Sequence, residues 1–261
     1  MTCHGSGRFF SHFFHRMNTV SLNLSIRMAV VIGKEGEKMK YRHEAKIEIG
    51  YSDLLMLRQR LSIVMQRDKH AIDGKYEIRS LYFDNARDKA LREKIDGVNV
   101  REKFRIRFYN SDTSYIKLEK KSKINGLCHK SSAPLTRQQA EAIVRGDYEW
   151  MCDSSQDLVR ELYIKMKTQG LRPKTVVDYT REPFVYAPGN VRVTLDYNIR
   201  TGMKCMDFLE KDCVTVPIEM ENIILEVKWD EYLPDIIRDI VHVQNGYVAA
   251  FSKYATCRIY G

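Results

Sequence analysis

Four basic side chains alternate with three apolar ones in a short run near the middle of the chain. The run covers residues 101–109 and reads R-E-K-F-R-I-R-F-Y. Its basic members are Arg101, Lys103, Arg105 and Arg107. Because successive side chains of a β-strand point to opposite faces, these cations share one face and the apolar residues share the other. Neighbouring cations repel one another unless an anion lies over them. The row therefore indicates a surface for a polyanion, and phosphate is the favoured ligand.

The same alternation of charged and apolar side chains recurs in four further segments. They lie at residues 41–49, 115–123, 191–196 and 222–229. A short polar turn at residues 110–114 links the opening run to the second of them, so the two can form a hairpin. A single charged strand face is ordinarily solvated. Five such faces, rich in cations, favour an inverted barrel whose polar side lines a lumen, and barrels of about eight strands can hold a ligand.

Amphipathic helices that could cover such a barrel are predicted at residues 52–67, 136–145, 156–168 and 233–244. Ser52 and Thr136 are suitable N-caps, and Gly170 follows the third helix as a normal stop. The predicted fold class is therefore α+β: a closed antiparallel β-tunnel of about eight strands, with a polar, basic lumen and helices packed outside.

Seven short motifs follow one another in order. They are R-H-E-A-K (42–46), S-L-Y-F-D (80–84), E-K-I-D-G (93–97), R-I-R-F-Y (105–109), L-E-K-K (118–121), L-E-V-K (225–228) and F-S-K-Y (251–254). The ordered set resembles the polyphosphate polymerase domain of the vacuolar transporter chaperone (VTC) family, which belongs to the triphosphate tunnel metalloenzymes. The resemblance covers residues 39–260. It implies a closed tunnel, a divalent metal (Mn²⁺ or Mg²⁺) as cofactor, and transfer of the ATP γ-phosphate to a growing polyphosphate chain.

The resemblance also implies roles for individual residues. The residues implied to act on the reacting phosphates are Lys46, Arg105, Arg107 and Lys253. The further phosphate-binding residues are Lys94, Lys121, Lys130, Arg181, Arg192, Lys228 and Ser252. The metal ligands are Glu119, Asp196 and Glu226. One departure is Ala250, at a position where relatives can carry a basic residue; it leaves the preferred chain length open.

These residue types suit phosphoryl transfer, which depends on positioning and charge neutralisation. The terminal phosphate of polyphosphate is already anionic, so it needs no general base. Tunnel triphosphatases typically carry Glu-x-Glu-x-Lys on the first strand, and here Arg42 replaces the first Glu. The replacement favours holding an anion over activating water. A tunnel triphosphatase and a non-catalytic sensor of polyphosphate or inositol polyphosphates stay as alternatives. Nucleic acid is disfavoured, because Phe104 and Phe108 fall on the apolar face and not among the cations.

Composition divides the chain into two parts. The formal net charge of +9 suits a phosphate-binding protein. Residues 1–38 contain two short apolar or aromatic runs that are too broken for a transmembrane helix and poor as a signal peptide. We predict that residues 1–38 are a disordered extension or lie upstream of a true start at Met39, and that residues 39–261 form the tunnel domain.

The expected partners are ATP and polyphosphate, without membrane insertion by this chain; a membrane-protein partner is left open. The six cysteines show no C-x-x-C pair. Their scatter predicts reduced thiols and a cytoplasmic protein.

Overall fold

The computed structural model describes residues 42–124, 127–202, 207–218, 223–244, 246–248 and 250–260. The strands are β1 (His43–Ile49), β2 (Gln66–Arg67), β3 (Tyr76–Asp84), β4 (Val100–Tyr109), β5 (Asp112–Ile124), β6 (Leu127–Leu135), β7 (Arg172–Tyr186), β8 (Val191–Gly202), β9 (Val216–Pro217), β10 (Ile223–Trp229) and β11 (Tyr247–Val248). The α-helices are α1 (Tyr51–Val64), α2 (Lys89–Ile95), α3 (Arg137–Arg145), α4 (Asp157–Gln169), α5 (Asp235–Ile240) and α6 (Lys253–Ile259). Two 3₁₀ helices cover Glu149–Asp153 and Pro188–Asn190.

All strands belong to one antiparallel sheet in the order β11-β1-β10-β8-β7-β3-β4-β5-β6, with β2 on β7 and β9 on β8. The sheet curls until β1 and β5 approach each other, and Lys121 Nζ lies 3.3 Å from Glu44 Oε2. Within the described ranges, the edge strands β6 and β11 share no hydrogen-bonded ladder, and the Lys121–Glu44 ion pair is a side-chain contact across the seam between the two ends of the sheet. The predicted α+β fold, a curled antiparallel sheet with helices outside, is confirmed.

The apolar faces of the strands form the outer core, as the alternation predicts. Phe104, Ile106 and Phe108 are at most 2% exposed and pack in one cluster with residues of α3 and α4. A second cluster joins β1, β8 and β10 to α1 and α5. Each fully buried large apolar side chain contributes about 1.5–3 kcal/mol. This burial holds the charged face of β4 toward the lumen.

Two short helices lie on the other side of the sheet, against its concave face. Tyr82 of β3 shares the lumen face with Arg105 and stacks on Tyr254 of α6, with 5.1 Å between ring centroids. Tyr254 Oη donates to Asp84 Oδ2 at 2.6 Å, and the same carboxylate accepts from backbone N–H groups at the start of α2. The sequence patterns predicted helices only outside the sheet, because these seven-residue helices are too short to show a clear period.

Several predicted boundaries change. The turn after β4 consists of Asn110 and Ser111, with φ of 51° and 56°, so β5 begins already at Asp112. The last predicted outer helix shortens to α5, at residues 235–240. The extension at residues 1–38 lies outside the described residues, as do Tyr41 and Asn222 at the predicted strand ends.

The cysteines follow the prediction only in part. Cys128, Cys152 and Cys257 are free thiols, as expected. The prediction of reduced thiols throughout is wrong for Cys213, which is disulfide-bonded. Because separated cysteines can meet in space, the absence of C-x-x-C spacing does not exclude such a bond.

Candidate active site

Two arginines of β4 are fixed in the middle of the lumen. Arg107 is 4% exposed, and its Nε and Nη2 donate to Ser80 Oγ at 2.9 Å and to Tyr179 Oη at 3.0 Å. Arg105 Nη1 donates to Tyr82 Oη at 2.9 Å. A guanidinium has five N–H donors, so each arginine keeps donors for a ligand while hydroxyl oxygens hold it in place.

A buried carboxylate joins these arginines to β6. Glu119 of β5 is 2% exposed, and its Oε2 lies 2.7 Å from Arg105 Nε and 2.6 Å from Nη2. Its Oε1 forms an ion pair with Lys130. Burial alone would raise the pKa of Glu119, but Arg105, Arg107 and Lys130 outweigh burial and hold the pKa well below its usual range. Glu119 is therefore an anion at all physiological pH values.

A second cluster lies where β1 faces β10. Lys46 Nζ is 3.1 Å from Glu44 Oε1 and 3.5 Å from Glu226 Oε1. Lys228 Nζ is 2.9 Å from Glu226 Oε2 and 3.8 Å from Glu44 Oε2. Burial would raise the pKa of Glu226, yet Lys228, Lys46 and Arg181 keep it well below the usual range. Burial lowers the pKa of Lys228 to about 8 in spite of Glu226. The two carboxylates thus share two lysines.

A third cluster is centred on Asp196 of β8, which is fully buried. Arg181 binds both carboxylate oxygens of Asp196: its Nε donates to Oδ1 at 2.6 Å and its Nη2 donates to Oδ2 at 2.7 Å. Lys253 Nζ lies 2.6 Å from Oδ2. Burial would raise the pKa of Asp196, but these two cations bring it to about 2. Arg181 Nη2 also lies 3.2 Å from Glu226 Oε2, so the second and third clusters are continuous.

The fit of a divalent metal rests on Glu226 and Glu44. Carboxylate oxygens are the ligands that Mg²⁺ and Mn²⁺ prefer, and phosphates and water can complete such a site. Within the described ranges, no three His, Cys, Asp or Glu side chains converge as a metal-binding group. The three predicted metal ligands do not converge on one place. Glu119 belongs to the Arg105 cluster, and Asp196, which shares Arg181 with Glu226, has its oxygens held by Arg181 and Lys253.

The remaining predicted phosphate ligands lie around these clusters. Lys94 of α2 donates to the Ala250 carbonyl at 2.6 Å, and Lys121 contacts Glu44 across the seam. Ser252 caps α6, since its Oγ accepts from the Ala255 N–H at 3.4 Å. Arg192 Nη2 donates to Asp68 Oδ2 at 3.0 Å. Phosphate binding by each of them stays a prediction.

Three further lumen side chains lie beside the implied site residues: Lys103 of the basic row already assigned to this face, and Tyr82 and Thr194, which carried no predicted role. Lys103 Nζ lies 5.5 Å from the centre of the Tyr82 ring, and burial lowers its pKa to about 8. Burial would raise the pKa of Tyr82, but Arg105, Lys103 and Arg107 lower it to about 7. The Thr194 hydroxyl is buried on β8, opposite Glu226 in register, without a hydrogen-bond partner among the described residues. Strand alternation places Lys103 and Thr194 on the lumen face, but it does not show which side chains surround them.

The comparisons with known proteins identify the family. The sequence matches the VTC domain over residues 41–259, and the chain belongs to this family. No curated protein matches the chain. Within the described ranges, no helix has both the length and the apolar character needed to span a bilayer.

Solved structures resemble this fold at low sequence identity. A Bacillus halodurans protein with a suggested adenylate cyclase activity is 13% identical with a TM-score of 0.45, over 72% of this chain and 80% of that chain. The PH1819 protein from Pyrococcus horikoshii OT3 is 15% identical with a TM-score of 0.39, over 77% and 84% of the two chains.

Proposed function

We propose that this chain is a polyphosphate polymerase that transfers the γ-phosphate of ATP to the terminal phosphate of polyphosphate, with Mn²⁺ or Mg²⁺ as cofactor. Its membership in the VTC family supports a phosphoryl-related function in a tunnel fold. The basic lumen residues of β1, β4, β7 and α6 supply the cations that such a substrate needs. Polymerisation goes beyond this coarser statement and rests on the acid–base character of the lumen.

The observation that carries the proposal is that cations hold every carboxylate of the three clusters. The pKa values of Glu119 and Glu226 lie well below the usual range, and that of Asp196 is about 2. Burial and Glu226 would raise the pKa of Glu44, but its lysine neighbours lower it. A general base works best with a pKa near the working pH. These carboxylates are poor bases for water, whereas an attacking phosphate needs none.

Each cluster supplies one part of the transfer. Arg105 and Arg107 would hold the transferring phosphoryl group with the N–H donors that Glu119, Tyr82, Ser80 and Tyr179 leave free. Lys46 and Lys253 would neutralise its developing charge.

The acidic residues of the second cluster are the proposed ligands of the metal cofactor. Glu226 with Glu44 would hold the metal, which supplies charge neutralisation between the phosphates when bound. The three clusters therefore orient the donor and the acceptor and screen their repulsion, without covalent catalysis.

Incubation of the purified chain with ATP and Mn²⁺, followed by gel electrophoresis, tests this proposal. A nuclease-resistant ladder of polyphosphate is the expected product. Free phosphate without a ladder would identify a tunnel triphosphatase. Binding of polyphosphate without turnover of ATP would identify a sensor. Labelled γ-phosphate recovered in the ladder distinguishes polymer synthesis from carried-over polyphosphate.

A further inference from the structure

Glu119 occupies the centre of the β5 lumen face. In register it lies between Arg105 of β4 and Ser132 of β6. Its side chain is 2% exposed. An ionised carboxylate at such a place is costly unless cations and hydrogen bonds compensate it. The residues around Glu119 must therefore account for its charge.

Three cations from two neighbouring strands converge on this carboxylate. Arg105 places Nε and Nη2 at 2.7 and 2.6 Å from Oε2, and Arg107 Nη1 lies 3.9 Å from the same oxygen. Lys130 forms an ion pair with Oε1. Three cations around one carboxylate leave a net charge of +2 in this cluster.

The surroundings of Glu119 differ from those of the two carboxylates that fit a metal. Glu44 and Glu226 share Lys46 and Lys228, and no described ion pair links Glu119 to either lysine. In the described ion pairs, Arg105, Arg107 and Lys130 contact no carboxylate other than Glu119, so no second carboxylate shares these cations as Glu44 shares those of Glu226. The Glu119 site therefore suits cations that belong to the protein.

We propose, on the basis of the proposed function, that Glu119 is a positioning residue that sets the places of three phosphate-binding cations and moderates their joint charge. Its oxygens fix the guanidinium plane of Arg105 and draw Lys130 of β6 toward β4. The remaining N–H donors of Arg105 and Arg107 then point to one place for a phosphoryl group. A phosphate chain binds there tightly enough to react and weakly enough to leave.

Removal of this charge has two separable consequences. Without Glu119, the three cations repel one another and Arg105 loses the partner that fixes its plane, and a misplacement of about 1 Å can cost about a hundredfold in rate. The cluster charge also rises to +3, which strengthens the hold on a polyanion. Turnover should fall while affinity for phosphate chains rises. A merely structural role would lower both together.

The test compares Glu119→Gln with Glu161→Gln in the full chain. Glu161 of α4 is a matched control. It forms an ion pair at 2.6 Å with Lys120, which lies on β5 beside Glu119 but points to the outer face of the sheet. For both variants we would measure kcat and KM for ATP, the Mn²⁺ concentration for half-maximal activity, and the Kd for inorganic tripolyphosphate in EDTA by calorimetry. For Glu119→Gln we expect kcat to fall about tenfold or more, tripolyphosphate to bind severalfold more tightly, and the Mn²⁺ requirement to stay the same. Glu161→Gln should match the wild type.

Three results would overturn the proposal. A raised Mn²⁺ requirement would make Glu119 a metal ligand. Parallel losses of kcat and tripolyphosphate affinity would make its role structural. Unchanged kcat would show that the contacts of Glu119 with Arg105 and Lys130 are not needed for catalysis. If the glutamine variant does not fold, Glu119→Asp keeps the charge but shortens the reach, and should lower kcat without tighter binding. The wild-type ladder assay tests the polymerase function separately, since tripolyphosphate binding does not depend on synthesis.

Discussion

The cations of β4 differ in their surroundings although they share one face. Arg107 is 4% exposed and held by two hydroxyls, whereas Arg101, at the start of the strand, donates to the nearby Val98 carbonyl. Lys103 lies between them along the strand and is half-buried, with its Nζ 5.5 Å from the centre of the Tyr82 ring. The row thus changes from a half-exposed end at Arg101 to the buried Arg107.

This gradient predicts unequal effects of substitution. Replacing Arg105 or Arg107 by Ala should cost about 3 kcal/mol or more in kcat/KM, because an enclosed, charge-assisted contact is lost. Arg101→Ala should mainly raise KM, and the increase should shrink at high salt, since the residue acts by attraction over distance. Steady-state kinetics at two ionic strengths measure both. Harmless substitutions throughout the row would show that this face is merely solvated.

The half-buried Lys103 predicts a pH dependence. Its pKa falls from 10.5 to about 8, so the free enzyme loses this cation as the pH rises through about 8. We expect kcat/KM to decline above that pH. Lys103→Arg keeps its charge and should flatten the decline, which a kcat/KM profile from pH 6 to 10 would reveal. An identical decline in the arginine variant would assign the titration to another group, such as Lys228, whose pKa is also about 8.

The sign of the linked stability change follows from the same pKa. Between about 8 and 10.5 the unfolded chain binds the proton of Lys103 more often than the folded chain does. This residue's contribution to the free energy of unfolding therefore rises with pH across that window.

Glu226 provides the test of the metal site. Glu226→Gln keeps the size but removes the charge that would hold the cation, and it leaves Lys46 and Lys228 short of a partner. We expect turnover to fall by roughly a hundredfold or more, since metal charge stabilisation is worth several kcal/mol, with ATP binding partly retained through the basic lining. Calorimetry with ATP and metal-dependent kinetics measure the two effects. Full Mn²⁺-dependent activity in this variant would remove Glu226 from the site.

At the scale of elements, the β4–β5 hairpin separates the lumen from the outer core, because its two faces differ. One face carries the lumen cations, and the other packs under α3 and α4. The tight turn at Asn110 and Ser111 begins the hairpin, and the register shift between Tyr109 and Arg107 then places Glu119 opposite Arg105. A shift of one residue would move every charged side chain to the other face.

A substitution on the outer face of the β4–β5 hairpin should change the stability of the fold and not the chemistry in the lumen. Phe104 is 1% exposed, and Phe104→Ala should lower the free energy of unfolding by about 3 kcal/mol or more through the cavity it creates. Ile63→Ala is the control, because Ile63 is 84% exposed on α1. Denaturant unfolding of both variants measures the difference. Equal stabilities would contradict the outward packing of β4.

At the scale of the whole molecule, the family match and the described strands and helices cover the same part of the chain, and neither includes residues 1–38. The match begins at residue 41, and the first described strand begins at His43. A chain shortened by residues 1–38 should therefore fold with unchanged thermal stability and keep its activity. Thermal melts and the ladder assay on both chains would check this. A folded but inactive shortened chain would show that the extension contributes to function.

The sequence by itself determined which side chains share a face. Strand alternation has a fixed period of two, so Arg101 to Arg107 could be assigned to one side and Phe104 to the core from local geometry alone. The ordered motifs then indicated the family and the curled antiparallel fold. Helices α1, α3 and α4 were predictable for the same local reason, since their apolar residues recur at helical spacing.

Only the tertiary structure decided which charges meet. Glu119 and Glu226 both follow a leucine in a strand motif, yet one holds Arg105 and Lys130 and the other shares Lys46 with Glu44. The Glu226 pairing joins β1 to β10, which are distant in sequence, whereas Glu119, in the described ion pairs, contacts only the two strands next to β5 along the chain. The first depends on the order of strands in the whole sheet, and the second depends on the register of the β4–β5–β6 hairpins. The concave placement of α6 likewise depends on the curvature of the whole sheet. Coulomb energy depends on distance and burial, and neither can be read from spacing along the chain.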